Sequence, residues 1–280
     1  MSHTTNNGNV ISDCLARRAG AEIDRLRPLI LAAHQDDETI GASVPLWLFP
    51  RAAVVYVTDG APRETSLRTA FHAESREGYG HIRREETIRA LAHVGVPPER
   101  IYWLGCIDQE AVNNIPSLVN KLVDILLDLS PDVMITHAYE GGHPDHDAVS
   151  LIAHLANAVL EREGRRAPEL WEMALYHACN EQLVTGQFIS ETSSPLVLQL
   201  SAHERERKQR MFECYRSQAT VLRSFSTETE MLRPAPTYDF SKPPHVGTLW
   251  YECLGWSMSG KKWRDLAASA LAQFDGNLCR

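Results

Sequence analysis

Apolar residues in the first two thirds of the chain form short unbroken runs, which alternate with stretches where they recur every three or four positions. The unbroken runs predict buried β-strands at residues 28–33, 52–60, 100–105, 131–137, 169–178 and 195–200. The periodic stretches predict helices at about 79–94, 115–129, 145–161 and 203–216, with a last one at about 262–274. Strands that alternate with helices predict an α/β fold, in which a Rossmann-like, mostly parallel sheet carries helices on both faces.

A proline-rich segment near the end of the chain interrupts this pattern. Residues 232–247 predict a loop. We interpret the 280 residues as a single domain with a C-terminal elaboration. The α/β domain is expected to span residues 1–220, with about the first 12 residues poorly ordered. Residues 221–280 are expected to form the elaboration and to pack on the same domain.

Composition excludes several kinds of partner. The net charge of −8 gives no reason to expect binding to nucleic acid or an anionic membrane. No apolar stretch approaches the roughly 18 residues of a membrane helix. The mixed charges of "HERERKQR" (203–210) predict a solvated helix face. Scattered cysteines and an N-terminal segment without signal-peptide features predict a cytoplasmic protein, and homo-oligomerisation stays open.

Polar side chains follow four of the predicted strands. They are, in chain order, His34, Asp36, Asp37, Asp59, Asp108, His143, Asp145 and His146. Ligands of open parallel sheets bind outside the carboxyl ends of the strands, so we expect these side chains to share one crevice. Taken singly, "DDET" and "HPDH" could each be only a helix start. Their equivalent places in the predicted fold favour a site.

The residue types at this edge are those of a catalytic zinc site. Such a site takes three ligands from histidine and carboxylate side chains and leaves one position open for water. His34, Asp37 and His146 supply two imidazoles and one carboxylate. Zinc, or another divalent ion, is therefore the expected cofactor.

Three neighbouring side chains could carry the remaining chemistry. Asp36, beside a metal ligand, can accept the proton of an attacking water. His143 can donate a proton to charge that develops on the substrate. Asp145 is expected to hold the His143 ring and to favour its charged form.

Two motifs give the sequence a resemblance to a known family. "AHQDDE" (33–38) and "HPDH" (143–146) are similar to the A-H-P-D-D-E and H-P-D-H signatures of the zinc-dependent de-N-acetylases called LmbE-like or PIG-L-like. The resemblance covers about residues 28–220 and includes "YRSQ" at 215–218. Gln35 departs from the family's proline, and nothing beyond Thr220 resembles the family.

The resemblance implies the same assignment of roles. By match to the motifs, His34, Asp37 and His146 bind zinc, Asp36 is the general base, and His143 stabilises the oxyanion. The implied reaction removes an acetyl group from an N-acetylated amino sugar, such as N-acetylglucosamine, or from its conjugate. The implied partner is therefore a small molecule.

Further residues are candidates for substrate contact. We expect Asp108, Arg83 and Tyr139 to line the site, although Arg83 and Glu86 also have the spacing of an ordinary helix ion pair. The aromatic residues of "TLWYECLGW" (248–256) could stack on a sugar, but a place in the core is the favoured interpretation.

Three other functions share part of this sequence pattern. One is an amidase of the same chemistry that acts on a non-sugar or thiol-conjugate amide. Another is a metal-binding protein without catalysis, which would need neither Asp36 nor His143. A nucleotide-binding Rossmann domain is disfavoured, because no G-x-G-x-x-G follows the first strand and the aspartates there would repel phosphate.

Overall fold

The computed structural model describes residues 7–68, 75–189 and 194–276. The strands in these ranges are β1 Pro28–Ala32, β2 Ala53–Thr58, β3 Ile101–Cys106, β4 Val133–His137, β5 Glu169–Met173, β6 Tyr176–Cys179, β7 Gln182–Thr185, β8 Leu196–Gln199 and β9 Thr229–Pro234. The α-helices are α1 Asn7–Arg17, α2 Asp37–Gly41, α3 Ser43–Leu48, α4 Arg76–Ala92, α5 Ile115–Leu129, α6 Pro144–Arg162, α7 Ala202–Cys214, α8 Ala219–Leu222, α9 Trp250–Cys253 and α10 Gly260–Gly276.

Seven of these strands form one sheet in the order β3-β2-β1-β4-β5-β9-β8. Strands β1 to β5 are parallel to one another, and β9 runs antiparallel to both β5 and β8. The sheet carries helices, so the predicted α/β fold class is confirmed. Among the described helices, none has the length and hydropathy needed to cross a bilayer.

Alternate residues of β1 face two hydrophobic cores, which explains why this strand is an unbroken apolar run. Leu29 and Leu31 pack with side chains of α5, α6 and α10. Ile30 and Ala32 pack with side chains of α1, α3, α4 and α7. Every residue of β1, β2 and β4 is buried, as expected for central parallel strands covered on both faces.

The topology reverses between β1 and β4. From β1 the chain proceeds through β2 to β3 on one side, whereas β5 lies on the other side of β4. Such a reversal opens a crevice at the carboxyl ends of the two strands. Helix α2 begins shortly after β1 and α6 shortly after β4, so the two sequence motifs meet at this crevice.

Several elements differ from the prediction. The strand expected at 169–178 is broken, because β5 ends at Met173 and β6 pairs instead with β7 in a separate hairpin. The first three residues of the loop expected at 232–247 belong instead to β9, which ends at Pro234. At the N-terminus, residues 1–6 lie outside the described residues, and Asn7–Arg17 forms a helix with Ile11 and Leu15 buried.

Residues after the predicted boundary near 220 contribute to the same sheet and core. Strand β9 is hydrogen-bonded between β5 and β8. Trp263 of α10 is buried, and its Nε1–H donates to the backbone oxygen of Pro144 at 2.9 Å. We propose that residues 221–280 are an elaboration of one folding unit and do not form a second domain.

One charged residue of α7 is fully buried. The ammonium group of Lys208 donates to the backbone oxygen of Ile40 at 2.6 Å and to Glu230 Oε1 at 2.9 Å. The Glu230 carboxylate also accepts from the backbone N–H groups of Ser43 and Val44, each at 3.1 Å. The prediction of a solvated face is therefore wrong at Lys208, which links α7 to α2 and β9.

Replacing this lysine should destabilise the protein strongly. We expect Lys208→Met to lower the free energy of unfolding by about 3–5 kcal/mol, because it leaves the Glu230 carboxylate buried without its cation. Arg210→Met is the matched control, since Arg210 pairs with Glu206 on the exposed side of the same helix, where such a pair contributes at most about 1 kcal/mol. Chemical denaturation measures both values, and equal effects would show that the buried pair contributes nothing beyond a surface pair.

Candidate active site and metal centre

A pocket of about 340 Å³ opens at the carboxyl edge of the sheet. Residues from the loops after β1, β3 and β4 line its base, namely His34, Asp36, Asp37, Asp108 and His143. Each of these side chains is buried. The fold thus brings together residues that are more than 100 positions apart in the sequence, as the strand-end pattern predicts.

The donor atoms of the three predicted metal ligands lie at similar distances from one another. His34 Nδ1 lies 3.3 Å from His146 Nε2 and 3.5 Å from Asp37 Oδ2, and His146 Nε2 lies 3.2 Å from Asp37 Oδ1. Ligand atoms placed about 2.0–2.1 Å from a tetrahedral metal are roughly 3.3 Å apart. The spacing is therefore close to that around a divalent ion, with a different Asp37 oxygen facing each histidine.

Hydrogen bonds fix the orientation of these ligands. Asp37, the first residue of α2, turns its carboxylate back to accept the backbone N–H of His34 at 2.7 Å. On the other side of the His34 ring, Nε2 lies 3.2 Å from both Asp145 Oδ2 and Asp108 Oδ1. A carboxylate on the distal nitrogen of a ligating histidine sets its tautomer and leaves the other nitrogen free for metal.

The charges around the ligands shift their titration in opposite directions. Burial opposes the charged form of His34. The negative charge of Asp108, together with hydrogen bonds from His34 to Asp145 and Asp37, nevertheless raises the pKa of His34 well above its ordinary value. Burial raises the pKa of Asp37, yet His146 and His137 hold that pKa well below the usual range. Asp37 is thus an anion held by histidines, as a metal-binding carboxylate must be.

A fourth histidine, His137, supports the ligands from the end of β4. Its Nε2 accepts the backbone N–H of Ala33 at 2.8 Å, and its ring stacks on that of His146 with centroids 4.1 Å apart. Burial lowers the pKa of His137 well below the ordinary value. Because Nε2 is already an acceptor, we interpret His137 as a neutral residue that positions His146.

Asp36 has a strained backbone and an unusual carboxyl group. Its φ angle of 122° lies in a region that non-glycine residues rarely adopt, at a cost of about 1–3 kcal/mol. Burial raises the pKa of Asp36 to about 8, although the nearby Arg83 guanidinium, at 3.6 Å, lowers it. A carboxylate whose burial favours protonation is suited to accept a proton.

Arg83 and Glu86, the R-x-x-E pair of α4, bind other groups and do not form an ion pair with each other. Arg83 donates to the backbone oxygens of Gln35 and Gly60, and so holds the loops after β1 and β2 together. Glu86 accepts the backbone N–H of Ser217 at 3.0 Å and its hydroxyl at 2.5 Å, and so fixes the "YRSQ" segment. The spacing predicted a helix pair or a site role, and Arg83 does line the pocket.

The expected pairing of Asp145 with His143 is wrong. His143 caps α6, and its Nδ1 accepts the backbone N–H of Asp145 at 3.1 Å, so that nitrogen carries no proton. The Asp145 carboxylate lies 4.0 Å from His143 and accepts the backbone N–H groups of Gln109 and Ala111 instead. Burial, with the neighbouring His34 and His146, lowers the pKa of His143 well below the ordinary value. His143 is therefore a neutral imidazole with its proton on Nε2.

Tyr139 is a second correction. Its hydroxyl donates to the backbone oxygen of Lys242 at 2.9 Å, and its ring packs against Phe240 and Trp263 in the core. Although Tyr139 is close to the second motif in sequence, it does not line the pocket. The other two predicted contact residues, Asp108 and Arg83, do line it.

Several residues of the pocket were missed or misjudged from the sequence. Trp250 and Trp256 line it, whereas only Tyr251 of the same aromatic segment is fully buried in the core. Tyr176 also lines the pocket and packs on His146 with ring centroids 5.1 Å apart. No local signal marks Tyr176, because its approach depends on the long-range packing of β6.

Gly142, directly before the second motif, makes that approach feasible. A Cβ at this position would lie 2.1 Å from the backbone oxygen of Tyr176, a distance that no side chain tolerates. The glycine therefore lets β6 pack against the loop that carries His143 and His146.

The fold and the site together define a class of protein, in which a Rossmann-like α/β sheet carries, at its topological switch point, a cluster of histidine and aspartate that could hold a metal ion. Residues 29–157 match the family model described as PIG-L, GlcNAc-PI de-N-acetylase. The chain thus carries a PIG-L (LmbE-like) domain, and the resemblance inferred from the two motifs is confirmed. Comparison with curated protein sequences gives no match.

Solved structures with the same fold include proteins of different activity. The zinc-inhibited form of teicoplanin deacetylase Orf2 superposes with a TM-score of 0.52 at 16% identity, covering 76% of this chain and 100% of that one. The N,N'-diacetylchitobiose deacetylase of Pyrococcus horikoshii gives 0.53 at 18% identity, covering 84% and 94%. The 4-carboxy-2-hydroxymuconate hydratase GalB of Pseudomonas putida gives 0.53 at 15%, covering 76% and 99%. These similarities show the shared fold, and the hydratase means that the fold alone does not decide the reaction.

Proposed function

We propose that this protein is a metal-dependent hydrolase that removes the acetyl group from an N-acetylated amino sugar or its conjugate. The observation that carries the proposal is the set of donor atoms of His34, Asp37 and His146, which lie 3.2–3.5 Å apart, with His34 and Asp37 lining the pocket. Asp36 and His143 line the same pocket. The family match supports a deacetylase, since the family's description names de-N-acetylation.

The residues present fit a divalent cation. His34, Asp37 and His146 would hold it through two imidazole nitrogens and one carboxylate oxygen, and all three residues are buried. When bound, the ion would polarise the amide carbonyl and lower the pKa of a water molecule. We propose zinc, with another divalent ion as the alternative.

Asp36 and His143 would carry out the proton transfers. As water oxygen adds to the acetyl carbon, Asp36 takes a proton from the water. The carbonyl oxygen then gains negative charge, to which the Nε2–H of His143 donates a hydrogen bond. The C–N bond breaks as Asp36 returns its proton to the departing nitrogen, and the products are the free amine and acetic acid, which then ionises to acetate.

Two further side chains of the pocket would contact the substrate. Asp108 Oδ1 is buried and makes no hydrogen bond of good geometry, although it lies 3.2 Å from His34 Nε2. It could accept a bond from a substrate hydroxyl, and such a bond would satisfy the buried oxygen. Arg83, which holds the two loops beside Asp36, would set the position of the general base.

The geometry at the reacting centre is the same for an amidase that acts on a non-sugar or thiol-conjugate amide. A non-catalytic metal-binding protein is less consistent with the site, because a strained, buried Asp36 contributes nothing to metal ligation.

A panel of substrates separates these alternatives. Metal-loaded protein is incubated with N-acetylated amino sugars and with simple N-acetyl amines, and the released amine is measured. Release from the sugars alone supports the proposal, and no release from any substrate contradicts it.

The metal assignment makes a prediction of its own. Purified protein should hold about one divalent ion per chain, as an open three-ligand site requires. His34→Ala, Asp37→Ala and His146→Ala should each reduce occupancy at least about tenfold after dialysis. The control is His154→Ala, which removes a histidine from the same helix as His146 but outside the pocket. Elemental analysis that finds full occupancy in all three ligand variants would rule out the assignment.

A further inference from the structure

Exposed apolar side chains are concentrated at one place on the surface. Within the described ranges, five large hydrophobic residues are exposed, and these are Leu183, Val197, Val221, Val246 and Leu254. Leu183, Val221 and Leu254 line the same pocket as the buried base residues, and so stand at its mouth. They come from β7, α8 and the turn after α9, three segments that only the fold brings together.

These three residues continue into a larger apolar surface. With Phe225, Trp250 and Trp256 they form what we call the apolar rim, on the wall of the pocket. All six residues lie outside the segment that matches the family, residues 29–157. The family match therefore gives no account of the rim.

Aromatic contacts connect the rim to the base of the pocket. The ring of Trp256 meets that of His143 edge to face, with centroids 4.9 Å apart. On the opposite side, Tyr176 lies 5.1 Å from His146 and 5.8 Å from Phe225. A ligand whose reacting group sits at His143 and His146 would thus extend along aromatic surface to the exposed aliphatic residues.

We infer that the apolar rim binds an apolar substituent of the substrate, so that the substrate is an amphiphilic N-acylated amino sugar. This inference rests on the proposed function and deepens it. Exposed apolar side chains in a concave surface are stabilised when a ligand removes them from water. Each CH₂ group of the ligand that is buried there raises the affinity about fourfold. The polar base would select the amide and hydroxyl groups, and the rim would select the apolar substituent.

A membrane surface is the main rival occupant of the rim. The net charge of −8 disfavours approach to anionic lipid. The rim is also part of the pocket wall, continuous with the base, whereas a bilayer would meet only its outer edge. A soluble ligand that enters the pocket can contact both surfaces.

The apolar substituent could be the aglycone or the acyl group, and two pairs of substrates distinguish these sources. The first pair is the methyl and hexyl β-glycosides of N-acetylglucosamine. The second pair is the methyl β-glycosides of N-acetyl- and N-hexanoylglucosamine. We expect the hexyl or hexanoyl member of one pair to have a kcat/KM at least about tenfold higher, with the difference in KM. No preference in either pair would overturn the inference.

Two valines of similar exposure provide a matched test. Val221 is 45% exposed at the rim, and Val197 is 43% exposed on β8, away from the pocket. Val221→Ser should reduce the hexyl preference at least about threefold, and Leu254→Ser should do the same, whereas Val197→Ser should leave it unchanged. Equal effects of Val221→Ser and Val197→Ser would contradict a role for the rim.

A binding measurement keeps this test separate from the proposed reaction. Methyl and hexyl β-glucoside contain no amide, and the fluorescence of Trp250 and Trp256 in the pocket should report their binding. Tighter binding of the hexyl compound, lost in Val221→Ser, supports the rim even if no substrate is hydrolysed, a result that would contradict only the proposed function. Equal binding of both glucosides, with co-sedimentation on phosphatidylcholine vesicles that Val221→Ser abolishes, would make the rim a membrane surface and overturn the inference.

Discussion

Asp36→Asn should lower turnover by roughly two to four orders of magnitude while leaving the metal bound. The amide of asparagine cannot take the proton of the attacking water, but it has nearly the shape of the carboxylate. Asparagine is also among the residues that best tolerate a positive φ angle, so the strained backbone at 122° should persist. Turnover of an N-acetylated amino sugar, measured alongside metal content, checks both parts.

The adjacent aspartate is the control for this variant. Asp37 lies 3.2 Å from His146 and 3.5 Å from His34, whereas the nearest cation to Asp36 is Arg83 at 3.6 Å. Asp37→Asn should therefore lose metal and activity together. If Asp36→Asn loses the metal and Asp37→Asn keeps it, the roles of the two residues are reversed.

His143→Asn should reduce turnover about a hundredfold to a thousandfold, which is the usual effect of losing one oxyanion donor. Asparagine is a good N-cap, and it can still accept the backbone N–H of Asp145 that His143 accepts at 3.1 Å. The start of α6, and with it His146, should stay in place. Metal content and melting temperature should therefore change little.

The loss in this variant should appear in kcat and in kcat/KM equally, because the hydrogen bond strengthens only as the carbonyl oxygen becomes charged. Steady-state kinetics at saturating metal give both constants. A near-normal kcat would mean that His143 serves only as the N-cap of α6, a structural role that it has in either case.

The base of the pocket was predictable from the sequence because the signal there is local. An unbroken apolar run predicts a buried parallel strand, and the sheet order places the ends of such strands at one edge. His34 and Asp37 follow β1 within a few residues, and His146 lies in the first turn of the helix that follows β4, so their meeting depends on the two strands being neighbours.

The wall and the supporting contacts were not predictable in this way. Tyr139 lies between β4 and the second motif, but the loop turns it toward the core, and no periodicity in the sequence shows that direction. The sequence predicts that Asp145 holds the His143 ring, yet the Asp145 carboxylate accepts backbone N–H groups of the loop after β3. Lys208 resembles its charged neighbours in the sequence, and only the position of Glu230 on β9 shows that it is buried.

Trp250 and Trp256 show a further limit of sequence reasoning. An aromatic segment predicts burial, and buried aromatic residues are as common in cores as in pockets. Which of the two applies is decided by the packing of residues 221–276 against the sheet. That packing involves contacts between distant segments, such as Trp263 with Pro144.

The position of β9 in the sheet also determines how this protein can be divided. A fragment that ends at residue 220 would contain the whole segment that matches the family, but β8 would lose its partner strand and β5 would present an unpaired edge. It would also lack Glu230, which caps the start of α3 and neutralises Lys208 beneath α2, the helix that carries Asp37. Exposed strand edges promote association between chains. The segment with the two motifs is therefore not sufficient for a stable fold, and a shortened gene product is expected to collect in insoluble aggregates.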